Sequence, residues 1–564
     1  MGRTVAIGVQ DFEKIISNNY FYIDKTHFIK EWWESGDDVT LITRPRRFGK
    51  TLTMSMLDYF FSVKNADKGS LFEGLSIWNE EKYRKLQGTY PVISLSFANI
   101  KENNYEAARN KICQVLTDVY VQYDFLRDSQ ALTDKDRDYF DRISLEMEDS
   151  VATFALNKLS DFLYRYYKKR VIILLDEYDT PMQEAYVHGY WEELVSFTRS
   201  LFNSAFKTNP ALERGIMTGI TRVSKESIFS DLNNLEVVTT TSNKYAAIFG
   251  FKETEVFSAL EECALADKKA DVKKWYDGFI FGNESDIYNP WSILNFLDKK
   301  NLTTYWANSS SNSLVGKLIR EGKRNIKQSF EGLLKGGHLI TPIDEQIVYN
   351  QLNGSAAAVW SLLLASGYLK VIRYQVAGDV SVTEKPQYEL ALTNYEVQVM
   401  FQSMVSGWFV QAEDDYNDFI KALLRCDVRE MNLYMNQVAL TVFSYFDTGN
   451  SPSATQPERF YHGFVLGLLV ELTGKYELTS NRESGFGRYD VMLEPLKPDE
   501  DAYILEFKVH DNREEATLQD TVKAALAQIE ARQYEQKLLA KGIAPERIHK
   551  YGFAFEGKHV FIGD

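Results

Sequence analysis

"TRPRRFGKTLT" (43–53) joins an apolar stretch, "DVTLIT" (38–43), to a helical one, "KTLTMSMLDYFF" (50–61). The first reads as a buried strand. In the second, Leu52, Met56 and Phe60 recur at near-helical spacing. The linking residues end as a phosphate-binding loop ends. In the pattern G-x-x-x-x-G-K-[ST], Gly49, Lys50 and Thr51 supply the back half, but Arg44 stands at the first glycine and Pro45 follows it. Such a loop works because successive backbone N–H groups converge on phosphate oxygens at a helix N-terminus. Lys50 is expected on the β/γ phosphates, the Thr51 hydroxyl on Mg²⁺, and Gly49 at the point of closest backbone approach. Pro45 donates no N–H. Guanidinium groups from Arg44, Arg46 and Arg47 are expected near the phosphates in its stead.

A G-K-T string alone also begins ordinary helices, so a second element is needed. "KRVIILLDEYD" (169–179) provides it, with an unbroken apolar run from Val171 to Leu175 that ends in two acids. A central parallel strand buried on both faces has this pattern. Asp176 is placed to hold the water shell of Mg²⁺, and Glu177 to orient or activate an attacking water. "YPVISLSF" (90–97) and "RGIMTGITRV" (214–223) read as further strands alternating with helices. The expectation is an α/β P-loop NTPase domain with a parallel sheet of the doubly wound kind. Thr218, Thr221 or Arg222, after the next strand, stands where a γ-phosphate would be sensed.

With 564 residues the chain is too long for one core, and about two to four domains are expected. The P-loop domain is assigned to 1–240. A helical middle region with small β elements near 337–395 follows over 241–447. After the polar stretch "TGNSPSATQPER" (448–459) the pattern turns α/β again, giving a second such domain over 448–564. The formal net charge of -15 argues against a general polyanion binder, so nucleic acid would have to meet local basic patches. No apolar run reaches the roughly 18 residues of a membrane helix. The start "MGRTVAIGVQ" lacks a secretory core. The three cysteines are isolated and form no C-x-x-C pair, which counts against a cysteine-built zinc site and fits a reducing cytoplasm.

The second unusual stretch is "GRYDVMLEPLKPDEDAYILEFKV" (487–509), two strands joined by a turn rich in Pro and Asp. Glu506 and Lys508, two apart, project from one face while Leu505 and Phe507 take the other. A carboxylate and an ammonium in an apolar strand are expensive without a partner. A surface hairpin with a cross-strand salt bridge would be one solution. A hard divalent cation is the other: Asp490 and Glu506 offer oxygen ligands to Mg²⁺, or to Mn²⁺ in its place. Lys508 is then placed to orient a water and steady developing phosphate charge. Glu458 can bind through a water or position a second ion, and Gln528 can orient the nucleophile. The product of such a centre is a cut phosphodiester.

These words together resemble the bacterial and archaeal proteins that join an AAA-ATPase-like domain to a C-terminal PD-(D/E)XK nuclease-superfamily domain. The matching stretches are "YIDKT" (22–26), "RPRRFGKT" (44–51), "LLDEYD" (174–179), "TGITRVSKESIFSDLNN" (218–234), "WYDGFIFG" (275–282), "YNPW" (288–291), "LLLASGYL" (362–369), "YHGFVLGLL" (461–469), "SNRESGFGRYD" (480–490) and "LEFK" (505–508). The resemblance implies an N-terminal P-loop ATPase, a helical middle and a restriction-endonuclease-like α/β domain. It also makes Arg44 a feature of how this family writes its loop. The chain departs from the wider nuclease pattern in two places: Tyr489 rather than proline precedes the motif acid, and Gln528 to Tyr534 is longer than a Q-x-x-x-Y spacing. The expected activity is ATP binding and hydrolysis coupled to Mg²⁺-dependent cleavage of nucleic acid, DNA ahead of RNA, with a homo-oligomer left open. The competing expectation is a nucleotide-driven interaction switch whose C-terminal fold binds a partner without cutting.

Overall fold

The computed structural model describes residues 3–221, 229, 232–307, 313–320, 324–344, 352, 355–375, 386–410, 416–442, 465, 468–469, 472, 475–480, 483–484, 487–488, 490–497, 500–511, 513–556 and 559–564. The chain forms two compact units, Met1–Met400 and Phe401–Asp564.

The first unit is built on a parallel sheet of β1 (Val39–Thr43), β2 (Val92–Ser96), β3 (Val171–Asp176), β4 (Leu212–Gly219) and β5 (Leu235–Val238), in the order β2-β3-β4-β1-β5. Every residue of β1 and β3 is buried. Strands covered by helices on both faces have no polar side to alternate with, which is why both read as continuous apolar runs. Strand β4 lies between β1 and β3, so the carboxyl ends of all three meet along one edge of the sheet, where open α/β sheets take their ligands.

The rest of this unit holds helices and two small antiparallel sheets. One is formed by β6 (Phe251–Lys252), β7 (Phe279–Phe281) and β8 (Glu284–Tyr288) in the order β6-β8-β7. The other is formed by β9 (Leu339–Pro342), β10 (Leu369–Gln375) and β11 (Gln387–Leu392) in the order β10-β11-β9. "YNPW" closes β8 and opens the helix Pro290–Lys299: the Asn289 side chain accepts from Trp291 N and Ser292 N, and Pro290 takes the first helical position.

In the second unit, β12 (Tyr476–Ser480), β15 (Val491–Pro495), β16 (Ala502–Val509), β17 (Ile548–Glu556) and β18 (His559–Gly563) form a mixed sheet in the order β12-β15-β16-β17-β18. The short pair β13 (Glu483–Ser484) and β14 (Gly487–Arg488) stands apart from it. Strands β16 and β17 are parallel and the other neighbours antiparallel. The helix Leu518–Arg532 connects β16 to β17. Tyr503, Leu505 and Phe507 pack with Phe419, Met435 and Val438 on one face, and Ala502 and Ile504 pack with Ile529 and Leu538 on the other. Sequence periodicity predicts a single helix over 516–540. It is in fact two, Leu518–Arg532 and Gln536–Ala540, because Gln533 turns into the left-handed region (φ 53°) and Tyr534 N bonds back to Ile529 O at 3.3 Å. The helix expected over 458–473 lies largely outside the described residues.

Candidate functional site

Two sites were singled out in the sequence. The first lies at the carboxyl ends of β1, β3 and β4. Gly49 at φ +85° turns the chain into the helix Lys50–Phe61, a conformation glycine adopts without steric cost. Arg47, at φ +65°, is a second left-handed residue in the same loop, an unusual place for a side chain that long. The Lys50 ammonium is buried and donates to the carbonyls of Arg44 and Pro45, each at 2.9 Å. Burial pushes its pKa below the ordinary value, against the pull of Glu177, Asp176 and Asp179. The Thr51 hydroxyl donates to Asp176 Oδ2 at 2.7 Å, joining residues 125 apart in sequence.

Strand β4 locks the acids of β3. The Thr218 hydroxyl donates to Asp176 Oδ1 and accepts from Glu177 N at 3.3 Å. Burial raises the Asp176 pKa, while the hydroxyls of Thr218 and Thr51 hold it down. Glu177 adopts φ +52°, a strained conformation for a side-chain-bearing residue and one that recurs at functional sites. Its Oε2 accepts from the Thr180 hydroxyl at 3.1 Å. Asp179 is buried and accepts from Ile220 N at 2.9 Å, Thr221 N at 2.8 Å and the Thr221 hydroxyl at 2.9 Å, which fixes the turn after β4. Asp179 closes the "LLDEYD" word, and the motif chemistry assigns it no role.

The three arginines part company. Arg46 and Arg47 are exposed. Arg46 Nη2 donates to Gln183 Oε1 at 3.2 Å, and the Arg47 guanidinium stacks 4.3 Å from the Trp291 ring. Arg44, expected beside the phosphates, is fully buried instead. Its Nη1 donates to Thr43 O at 3.0 Å and to Thr239 O, and its guanidinium lies 4.6 Å from the Phe281 ring. Among the described residues Nε and Nη2 have no hydrogen-bond partner, and the guanidinium lies near the Phe249 and Phe281 rings. Burial pushes its pKa down to about 9. The guanidinium is turned inward by the Thr43 and Thr239 carbonyls and the Phe281 ring. Arg222 lies outside the described residues.

The second site lies on β15 and β16. Antiparallel register pairs Val491 with Leu505, which sets Asp490 beside Glu506. Asp490 N donates to Glu506 Oε2 at 3.4 Å, and Phe507 N donates to Asp490 Oδ2 at 2.9 Å. Glu506 is only 3% exposed. Gln528, from the helix Leu518–Arg532, donates to Glu506 Oε1 and lies 3.4 Å from the Tyr534 hydroxyl. The longer Gln528–Tyr534 spacing is thus bridged by the helix break, which folds Tyr534 back over the last turn. Lys508 follows on the same face of β16, partly exposed. Glu458 lies outside the described residues.

Both donor sets fit a hard divalent cation. Thr51 and Asp176 offer hydroxyl and carboxylate oxygens side by side, and Asp490 and Glu506 offer carboxylates from neighbouring strands. A third acidic group, Glu253, Asp277 and Asp286, already surrounds the Lys273 ammonium.

The family model described as Predicted AAA-ATPase matches residues 6–229, and that of the PD-(D/E)XK nuclease superfamily matches residues 456–564. A protein of Azotobacter chroococcum mcd 1, described as an uncharacterized protein in the vnfD 5′ region, is 25% identical over 398 residues, covering 70% of this chain and 68% of its own length. Among the described residues no helix is long and apolar enough to cross a membrane. The chain therefore carries an AAA-ATPase-like domain towards its N-terminus and a PD-(D/E)XK nuclease-superfamily domain towards its C-terminus.

Proposed function

We propose that this protein binds and hydrolyses ATP and uses it to govern Mg²⁺-dependent cleavage of a nucleic acid, DNA ahead of RNA, in the cytoplasm. The observation that carries the reading is the bond from Thr51 to Asp176, made across 125 residues at the mouth of the phosphate loop. It sets side by side the hydroxyl and the carboxylate that would hold Mg²⁺.

Lys50, freed from the carbonyls of Arg44 and Pro45, would place its charge on the β/γ phosphates. Thr51 and Asp176 would hold Mg²⁺. Glu177 would orient the attacking water, its backbone fixed by Thr218. In the second unit Asp490 and Glu506 would hold a metal, Gln528 would keep the Glu506 carboxylate in place, and Lys508 would orient a water and steady phosphate charge. Mg²⁺, when bound, supplies Lewis acidity and neutralises charge on phosphate oxygens. The domain limits proposed for this arrangement are 1–240, 241–447 and 448–564.

The test is a cleavage screen on plasmid, single-stranded DNA and RNA with Mg²⁺ or Mn²⁺, with and without ATP. Cutting is expected in the wild type and lost in Asp490→Ala and Lys508→Ala. Full cutting by both variants would remove the second site from the reaction. ATP binding with no cleavage on any substrate would favour a nucleotide-driven interaction switch.

A further inference from the structure

The front of the phosphate loop carries Arg44 where the pattern has its first glycine, followed by Pro45, and Lys50 holds the carbonyls of both. The next carbonyl, that of Arg46, has other partners. It is held from elsewhere in the first unit. Arg46 O accepts two side-chain hydrogen bonds, from Trp306 Nε1 at 3.0 Å and from Asn289 Nδ2 at 3.3 Å. Both donors come from segments some 240 to 260 residues downstream of the loop. Both are buried, Asn289 at 0% and Trp306 at 4% exposure. One carboxylate fixes the two relative to each other. Glu396, itself fully buried, accepts from the N–H groups of Tyr305 (2.5 Å) and Trp306 (2.7 Å), and from the Ser292 hydroxyl (2.8 Å) in the helix that Asn289 caps. Packing completes the grip: Phe48 lies edge-on to Phe279 at 4.8 Å, and Gly367, at φ +85°, leaves room for Pro45, whose Cγ would stand 2.7 Å from any Cβ there.

We infer that Asn289 and Trp306 are positioning residues of the phosphate loop, which clamp the Arg46 carbonyl so that the loop's backbone donors face a nucleotide's phosphates. The inference rests on reading the loop as a nucleotide site. In a trans peptide the C=O and the following N–H point to opposite sides. With no cis peptide among the described residues, drawing Arg46 O towards Asn289 and Trp306 turns Arg47 N–H the other way. Arg47 and Gly49 are both left-handed, the conformation that lets successive backbone N–H groups converge in anion-binding nests. The clamp gives "YNPW" and the segment before Ala307 a role that neither motif chemistry nor composition assigns.

The experiment is calorimetric titration of the full chain with ATP and Mg²⁺, beside thermal melts without nucleotide. Asn289→Ser keeps a helix-capping oxygen but loses the long amide donor, and Trp306→Phe keeps a ring but loses the indole N–H. Lys50→Ala is the control for the site itself. Each clamp variant is expected to weaken ATP binding about tenfold, as loss of one preorganising hydrogen bond does, with the nucleotide-free melting temperature retained. Wild-type affinity in both clamp variants, with binding lost in Lys50→Ala, would overturn the clamp and leave the nucleotide site standing. An affinity loss that appears only together with a collapsed melting temperature would also overturn it, leaving a structural role alone. No binding by the wild type, or undiminished binding by Lys50→Ala, would overturn the nucleotide reading and the clamp with it.

Discussion

The Gln528 amide donates to Glu506, a carboxylate proposed above to hold a metal. Groups behind a metal ligand hold its orientation, and their loss typically costs about 10- to 100-fold in metal affinity. Gln528→Ala is therefore expected to raise the Mg²⁺ concentration for half-maximal cleavage by about that factor, while cleavage at saturating Mg²⁺ persists. A Mg²⁺ titration of cleavage rate checks it. At this scale the sequence was informative about which residues come together: Thr51 and Asp176, 125 apart, share a hydrogen bond. The direction of Arg44 was not legible, because a guanidinium beside a loop can turn outward to an anion or inward to carbonyls and rings. Only the fold places Thr239 and Phe281 within its reach.

The helix Lys50–Phe61 leaves the loop and runs along the sheet, and one of its residues sets a pH dependence. The Asp58 carboxyl is pushed up to about 6, chiefly by burial, with Lys64 and Asn65 pulling the other way. A carboxyl raised in the folded state binds its proton more tightly there than in the unfolded chain. Its ionisation therefore costs stability, fully so above about pH 6, and the cost is relieved as pH falls towards the ordinary value near 4. Asp58→Asn is expected to stabilise the protein by about 1–2 kcal/mol at about pH 7.5. The gain should vanish by about pH 4, as thermal melts across that range would show. A variant no more stable than wild type at the higher pH would mean that water reaches this carboxyl. Elements differed in legibility for a physical reason. β1 and β3 announced themselves because a strand buried on both faces must be apolar throughout. β6, β7 and β8, two to five residues long, are too short for any periodicity to show, so the aromatic words around them read only as punctuation.

For the molecule as a whole, two sites in one chain raise the question of whether they communicate, and thermodynamics supplies a test that needs no picture of the route. If ATP changes the affinity for nucleic acid by some factor, nucleic acid must change the affinity for ATP by the same factor. The net charge of -15 makes such control useful, since a chain this acidic gains little from its overall field when it meets a polyanion. Binding then depends on a local arrangement that a nucleotide can strengthen or weaken. Glu506→Gln should remove cleavage and leave substrate bound, so both affinities can be measured on one protein. We expect ATP to change nucleic-acid affinity by about fivefold or more, the usual range for coupled sites, and saturating nucleic acid to change ATP affinity equally. Adding Lys50→Ala should abolish both effects together. An ATP affinity indifferent to saturating nucleic acid would make the two sites thermodynamically independent. The phosphate loop would then serve some purpose other than governing the Asp490–Glu506 centre.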